Sequence, residues 1–233
     1  MIKYASNAIL ATKISFMNEI ANICEKIPGV DVVQVAEGMG MDQRIGKRFL
    51  HAGAGFGGSC FPKDVKAIVA LAKYKHYKPS IMDAVLKVNT EQATHVVELA
   101  KKQLGTLRRK RVAILGLSFK PGTDDLREAP SIRIIHQLLR QGAKVVAYDP
   151  VAMANARKVL GKKIEYADSA YSCVEGADAA LVVTEWEEFR KIAPSDLKER
   201  MRQPHLIDGR RIYDPETYGS KLVYSAVGLG KKN

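Results

Sequence analysis

The residue best placed to do chemistry is Cys60. It lies in Gly53-Ala-Gly-Phe-Gly-Gly-Ser-Cys-Phe-Pro-Lys-Asp-Val-Lys66. Four glycines give a backbone free to take positive φ and to let a ligand approach closely. Pro62 marks a helix start, because its missing N–H has no intrahelical partner there anyway. Asp64 falls in that first turn, and Val65, Ile68, Val69, Leu71 and Ala72 supply an apolar helical face. Cys60 is therefore expected beside free backbone amides and the positive end of a helix dipole, a setting that favours thiolate nucleophilicity. A lone cysteine is more often an inert buried one. The glycines, the helix start and the adjacent Lys63 and Asp64 favour chemistry here.

The elements that must position this loop are helices. Residues 2–27 read as one long helix with two adjacent apolar stripes, one of Leu10, Ile14, Met17, Ala21 and Cys24, the other of Ile9, Phe16, Ile20, Ile23 and Ile27. Such a helix should be buried over a wide arc, at a subunit interface or between domains. Extending the first stripe backwards reaches Asn7 and Lys3, an amide and a lysine one turn apart; on spacing alone Lys3 reads as a snorkelling terminal lysine. A short helix over Val32–Glu37 follows. Next come Arg44, a surface charge by default, and Phe49-Leu50 leading into the glycine loop. Helices over 63–77 and 81–104 complete an all-helical first part, closed by Gly105 and the basic run Arg108–Arg111.

From Arg111 the pattern alternates between strands and helices, which implies a parallel sheet. Strands are predicted at 112–117, 144–148, 164–166, 179–183, 205–207 and 222–224, with helices at 131–139, 152–160 and 170–174 and from about Glu187. The fold expected is α + α/β: an all-helical central and dimerisation domain over 1–107, then a Rossmann-like doubly wound parallel sheet over 108–233. The first strand ends in Gly116-Leu-Ser-Phe-Lys-Pro, without the second and third glycines of a dinucleotide fingerprint. Asp149 ends the second strand where a ribose-binding acid would sit, and before Pro150 it also reads as a turn residue. Phe119, Lys120 and Arg127 instead lie on a long loop with Asp124, Asp125 and Glu128.

Composition narrows the class. The chain has 233 residues, 46% hydrophobic and 27% charged, enough for one large or two ordinary cores. No apolar run approaches the roughly 18–20 residues that span a bilayer, and the first residues lack a signal peptide's apolar core; a cytoplasmic protein without a membrane partner is expected. Three dispersed cysteines argue against a disulfide framework or a zinc site. The net charge of +12 is scattered apart from Arg108–Arg111, so nucleic acid is not expected as a partner.

The segment Gly55-Phe-Gly-Gly-Ser-Cys-Phe-Pro-Lys-Asp64 resembles the catalytic-cysteine motif of the UDP-glucose dehydrogenase family, which oxidises a nucleotide-sugar alcohol to the acid in two NAD-dependent steps. Lys3-Tyr-Ala-Ser-Asn7-Ala, the Phe119-Lys120 and Arg127 loop, and Asp208-Gly-Arg210 resemble further family segments in the expected order. The resemblance implies UDP-glucose as substrate, UDP-glucuronate as product, NAD as cofactor and a homodimer. It assigns Cys60 as nucleophile, Lys3 and Asn7 to the oxyanion, and Asp64 to the hydrolytic water. It puts Phe49, Leu50, Gly57, Phe61, Phe119, Lys120 and Arg210 against the substrate, with Arg44 reaching a neighbouring subunit's site, and turns Lys63 and Arg127 towards NAD. The family's N-terminal NAD domain has no match in these residues, so the chain alone is expected to hold no NAD and to be inactive. GDP-mannose as substrate is the nearest alternative. A non-catalytic nucleotide-sugar-binding or dimerisation module is the alternative from another class.

Overall fold

Four of the six strands carry an unbroken run of three or more buried residues, which is what a sheet covered on both faces requires. The computed structural model describes residues 1–231. Four helices come first: α1 (Ile2–Cys24), α2 (Val32–Gly40), α3 (Phe61–Tyr74) and α4 (Ser80–Leu104). Strands and helices then alternate as β1 (Arg111–Leu115), α5 (Pro130–Arg140), β2 (Lys144–Tyr148), α6 (Met153–Leu160), β3 (Glu165–Tyr166), α7 (Ala170–Val174) and β4 (Ala179–Val182). Two short helices, α8 (Glu187–Arg190) and α9 (Pro194–Arg200), precede β5 (His205–Asp208), α10 (Pro215–Gly219) and β6 (Val223–Ala226). The sheet is all-parallel in the order β3-β2-β1-β4-β5-β6. The expected helical part followed by a doubly wound sheet is what forms.

Local chemistry sets the boundaries. Asp31 caps α2 by accepting the Val33 N–H, Ser169 and Ser172 form a reciprocal cap on α7, and Asp214 caps α10. The first helix stops at Cys24, three residues short of the predicted end, because the Lys26 and Ile27 amides close tighter turns onto Ile23 and Cys24. α3 starts one residue before Pro62, so Phe61 takes the first helical position. The single helix predicted from Glu187 is two, divided before Pro194.

α4 joins the two parts. Its Val85 packs in a small cluster with Ala8, Ala11, Phe56 and Val65, directly beneath the cysteine loop. One turn after another, its Ala93, Val96, Val97 and Ala100 run into a second cluster that includes Met17 and Ala21 of α1 and Ile114 and Leu181 of the sheet. α1 is buried over one arc only. Its other stripe stays open, with Ile9 58%, Phe16 48% and Ile23 50% exposed.

Candidate active site

The glycine loop is held by its backbone. Gly53 N–H donates to Asn18 Oδ1 of α1 (2.8 Å) and Ala54 N–H to the Gly209 carbonyl (2.8 Å). Asn89 of α4 pairs with Phe56 in both directions, accepting its N–H at 2.7 Å and donating to its carbonyl at 3.0 Å. Gly58 N–H then donates to the Arg127 carbonyl at 2.8 Å, tying the loop to the segment after β1. Two glycines are required by this seat. A Cβ on Gly57 would lie 2.6 Å from the Glu128 carbonyl oxygen, and one on Gly58, at φ +81, would lie 2.7 Å from the Phe119 ring. Residues 52–58 are buried, and the chain then delivers Cys60 exposed at the N-cap of α3.

α1 and α3 meet beside that thiol. Asn7 Nδ2 donates to Asp64 Oδ2 at 2.6 Å, and Lys63 Nζ lies 3.0 Å from Asp64 Oδ1. The Asn7 hydrogen bond, then that of Lys63, holds the Asp64 carboxyl below the ordinary range, and Lys3 adds to the effect from one turn earlier in α1. Lys63 is raised in return, chiefly by its hydrogen bond to Asp64, and its ammonium also stands 5.9 Å from the Tyr4 ring. Arg127 grips Asp125 through two nitrogens (3.0 and 2.7 Å), which raises it. Cys60 is near enough to both Lys63 and Arg127 to be the last and smallest cause of the rise of each. Glu128 binds Lys66 of α3 (2.5 Å) and Arg133 of α5 (2.6 Å), a second tie between the two parts.

The aromatic residues gather on one side. Phe61 makes edge-to-face contacts with Phe49 and Phe56, each at 6.0 Å. Lys120 Nζ stands 5.5 Å from the Phe119 ring. Arg210 donates to the Val183 carbonyl (2.6 Å) and to the Gly55 carbonyl (3.1 Å), with Glu185 at 3.3 Å. Leu50 and Arg210 line a cavity of about 760 Å³, together with Lys47, Ala52, Arg190 and Arg211. Its position at the carboxyl ends of β4 and β5 is where open α/β sheets take ligands. Arg44 is apart from this group, 89% exposed and hydrogen-bonded to Asp42.

Three buried polar groups went unread. Asn18 and Asn89 fix the glycine loop, and the Asp208 carboxylate accepts the backbone N–H groups of Arg210, Ile212 and Tyr213. Burial nonetheless pushes the Asp208 carboxyl up. A signal for Asn89 was present, since it interrupts the apolar stripe of α4 between Leu86 and Ala93. Among the described residues no cluster could hold a metal ion, and no helix is long and apolar enough to cross a membrane.

The chain is similar to known proteins in sequence and fold. Residues 1–91 match the central domain of the UDP-glucose/GDP-mannose dehydrogenase family, and residues 113–215 match that family's UDP binding domain. A UDP-glucose 6-dehydrogenase from Haloferax volcanii is 51% identical over 212 residues, covering 91% of this chain and 48% of the relative. The UDP-glucose 6-dehydrogenase TuaD of Bacillus subtilis is 44% identical over 229 residues, covering 98% of this chain and 50% of the relative. The solved UDP-glucose dehydrogenase of Pyrobaculum islandicum superposes with a TM-score of 0.89 at 37% identity, over 98% of this chain and 50% of that one. The chain thus spans about half the length of the curated relatives it matches. With both domain models matched in order on a fold of this similarity, the chain belongs to the UDP-glucose/GDP-mannose dehydrogenase family.

Proposed function

We propose that this chain binds UDP-glucose between its helical part (1–107) and its sheet (108–233), and supplies the nucleophile for UDP-glucose 6-dehydrogenase chemistry. The observation that carries this reading is the Asn7–Asp64 hydrogen bond. It brings an amide of α1 to the first turn of α3, one turn beyond an exposed cysteine. In the aldehyde stage the Cys60 thiolate adds to the carbonyl carbon, forming a C–S bond while the π electrons move to oxygen. The Asn7 amide and the Lys3 ammonium stabilise that oxyanion. At the thioester stage Asp64 orients the attacking water, the C–S bond breaks, and the thiolate leaves. Phe49, Gly57 and Phe61 contact the sugar side, and Leu50 lines the nucleotide end. Phe119, Lys120 and Arg210 take the UDP, with the 760 Å³ cavity as its nucleotide end.

Family members are NAD-dependent dehydrogenases, and hydride acceptance is the chemistry NAD supplies. The sheet of this chain does not fit a dinucleotide. The backbone N–H groups that follow β1, where a pyrophosphate would be gripped, are already taken by the Asp149 carboxylate. No hydride step is therefore derived from these residues. Lys63 and Arg127, 60% and 70% exposed, would be the residues that turn to the phosphates of NAD.

The second part of the proposal is a homodimer formed through α1. Ile2, Ile9, Phe16 and Ile23 recur every seven residues on its open stripe, the spacing of a helix-pairing seam. Arg44, exposed and outside its own chain's site, would then serve the partner's.

Protection from alkylation tests the site. UDP-glucose should slow iodoacetamide labelling of Cys60, and GDP-mannose should do so less. Equal or stronger protection by GDP-mannose would transfer the reading to that substrate. No protection by either would leave a module without this site.

A further inference from the structure

Asp149 directly follows β2, in the position of a ribose-binding acid, yet it is wholly buried and its carboxylate is fully engaged. Oδ2 accepts from Leu117 N–H (2.7 Å), Ser118 N–H (3.0 Å), Ser118 Oγ (3.1 Å) and Trp186 Nε1 (3.1 Å). Oδ1 accepts from Val151 N–H (3.0 Å) and Ala152 N–H (2.8 Å). Three chain segments, those after β1, β2 and β4, are thus fixed on two oxygen atoms. An internal anion stands where sheets of this type grip an external one.

The same two residues are held from the other side as well. The Leu117 carbonyl accepts from Ser131 Oγ (2.5 Å) and the Ser118 carbonyl from Thr184 Oγ1 (2.6 Å). The next residues in the chain are Phe119, whose ring abuts Gly58 of the cysteine loop, and Lys120. The direction in which Phe119 and Lys120 leave the sheet is set by the peptides at 117 and 118.

We infer that Asp149 is a positioning residue for UDP-sugar binding: by anchoring Leu117 and Ser118 it aims Phe119 and Lys120 at the cysteine loop, and Trp186, bonded to the same oxygen, reports its state. The inference rests on the UDP-sugar reading of Lys120. An amide cannot replace this carboxylate. Asn offers one acceptor oxygen and two donor hydrogens, so in either orientation its NH₂ faces N–H donors. Asp149→Asn should therefore behave like Asp149→Ala, whereas a packing role would be rescued by the isosteric amide.

The experiment titrates UDP-glucose into the full chain by calorimetry and follows the emission of Trp186, its single tryptophan. Folded Asp149→Asn should bind UDP-glucose about tenfold or more weakly than wild type, roughly the effect of losing one charge-assisted bond. Its emission should shift in wavelength as the indole N–H loses its carboxylate partner. Ser118→Ala, which removes one of the four donors to Oδ2, should lose affinity about three- to tenfold. That variant carries the test if Asp149→Asn does not fold. Should the wild type bind and either folded variant match it within about twofold, the positioning role is overturned. A folded wild-type chain that binds neither UDP nor UDP-glucose defeats the UDP-sugar reading itself, and the positioning role falls with it.

Discussion

Gly57 and Glu128 meet backbone to backbone across the two parts of the chain, with space for a hydrogen on Gly57 but none for a methyl group. The adjacent Gly58 N–H bond to Arg127 makes this the seat of the cysteine loop on the sheet. Gly57→Ala should push the two parts against each other and cost about 1–3 kcal/mol, the usual penalty for overpacking. It should also weaken UDP-glucose binding. Gly38→Ala is the control, since a Cβ there meets nothing within 4 Å inside α2. It should be neutral, or stabilising by about 0.5–1 kcal/mol. Thermal melts of both variants check the contrast, and an unchanged Gly57→Ala melt would remove the seat.

The three thiols should separate by reactivity. Cys60 is exposed while Cys24 and Cys173 are buried. Burial raises Cys24 and pushes the Cys173 thiol up to about 12. Limiting iodoacetamide at neutral pH, followed by peptide mapping, should place the label on Cys60, with the other two labelled only after unfolding. Native labelling of Cys24 or Cys173 ahead of Cys60 would contradict the assignment.

Much of this was legible before any coordinates, for identifiable reasons. The strands announced themselves because a sheet covered on both faces needs continuous apolar runs such as Ala179–Val182. Cys60 was found because glycines and a helix-starting proline are local signals. What escaped is non-local. Nothing near Asn89 says that its amide will pair with Phe56, 33 residues away, and Asn18 reaches Gly53 across 35. The two stripes of α1 point to a subunit interface or a contact between domains, and apolar spacing does not say which stripe packs inside the chain and which stays open. Asp149 was read as a ribose ligand or a turn residue, because chain position alone does not count its six donors.

The Asn7–Asp64 pair carries a pH signature. The folded pKa of Asp64 lies below its unfolded value of about 3.9. Its contribution to stability is therefore complete above the unfolded value and is lost as pH falls through the lower folded one. Between pH 6 and 8 Asn7→Ala should lower the melting temperature by a constant amount. The gap from wild type should close only in acid, below about pH 4. A gap that instead changed between pH 6 and 8 would show that another group carries the coupling.

The open stripe of α1 should hold two copies together. Phe16→Asp places a charge at its middle, where desolvation in a paired state is costly. Light scattering should return twice the chain mass, 25.7 kDa per copy, for wild type and the single mass for the variant. A wild-type monomer at micromolar concentration would overturn the pairing.

The central claim is that one nucleotide sugar is gripped by both parts of the chain at once, and calorimetry with UDP-glucose tests it most directly. The account predicts heat from both UDP and UDP-glucose, less from GDP-mannose, and clear weakening by Lys120→Ala and by Arg210→Ala. Folded protein that gives no heat with either UDP or UDP-glucose would contradict it.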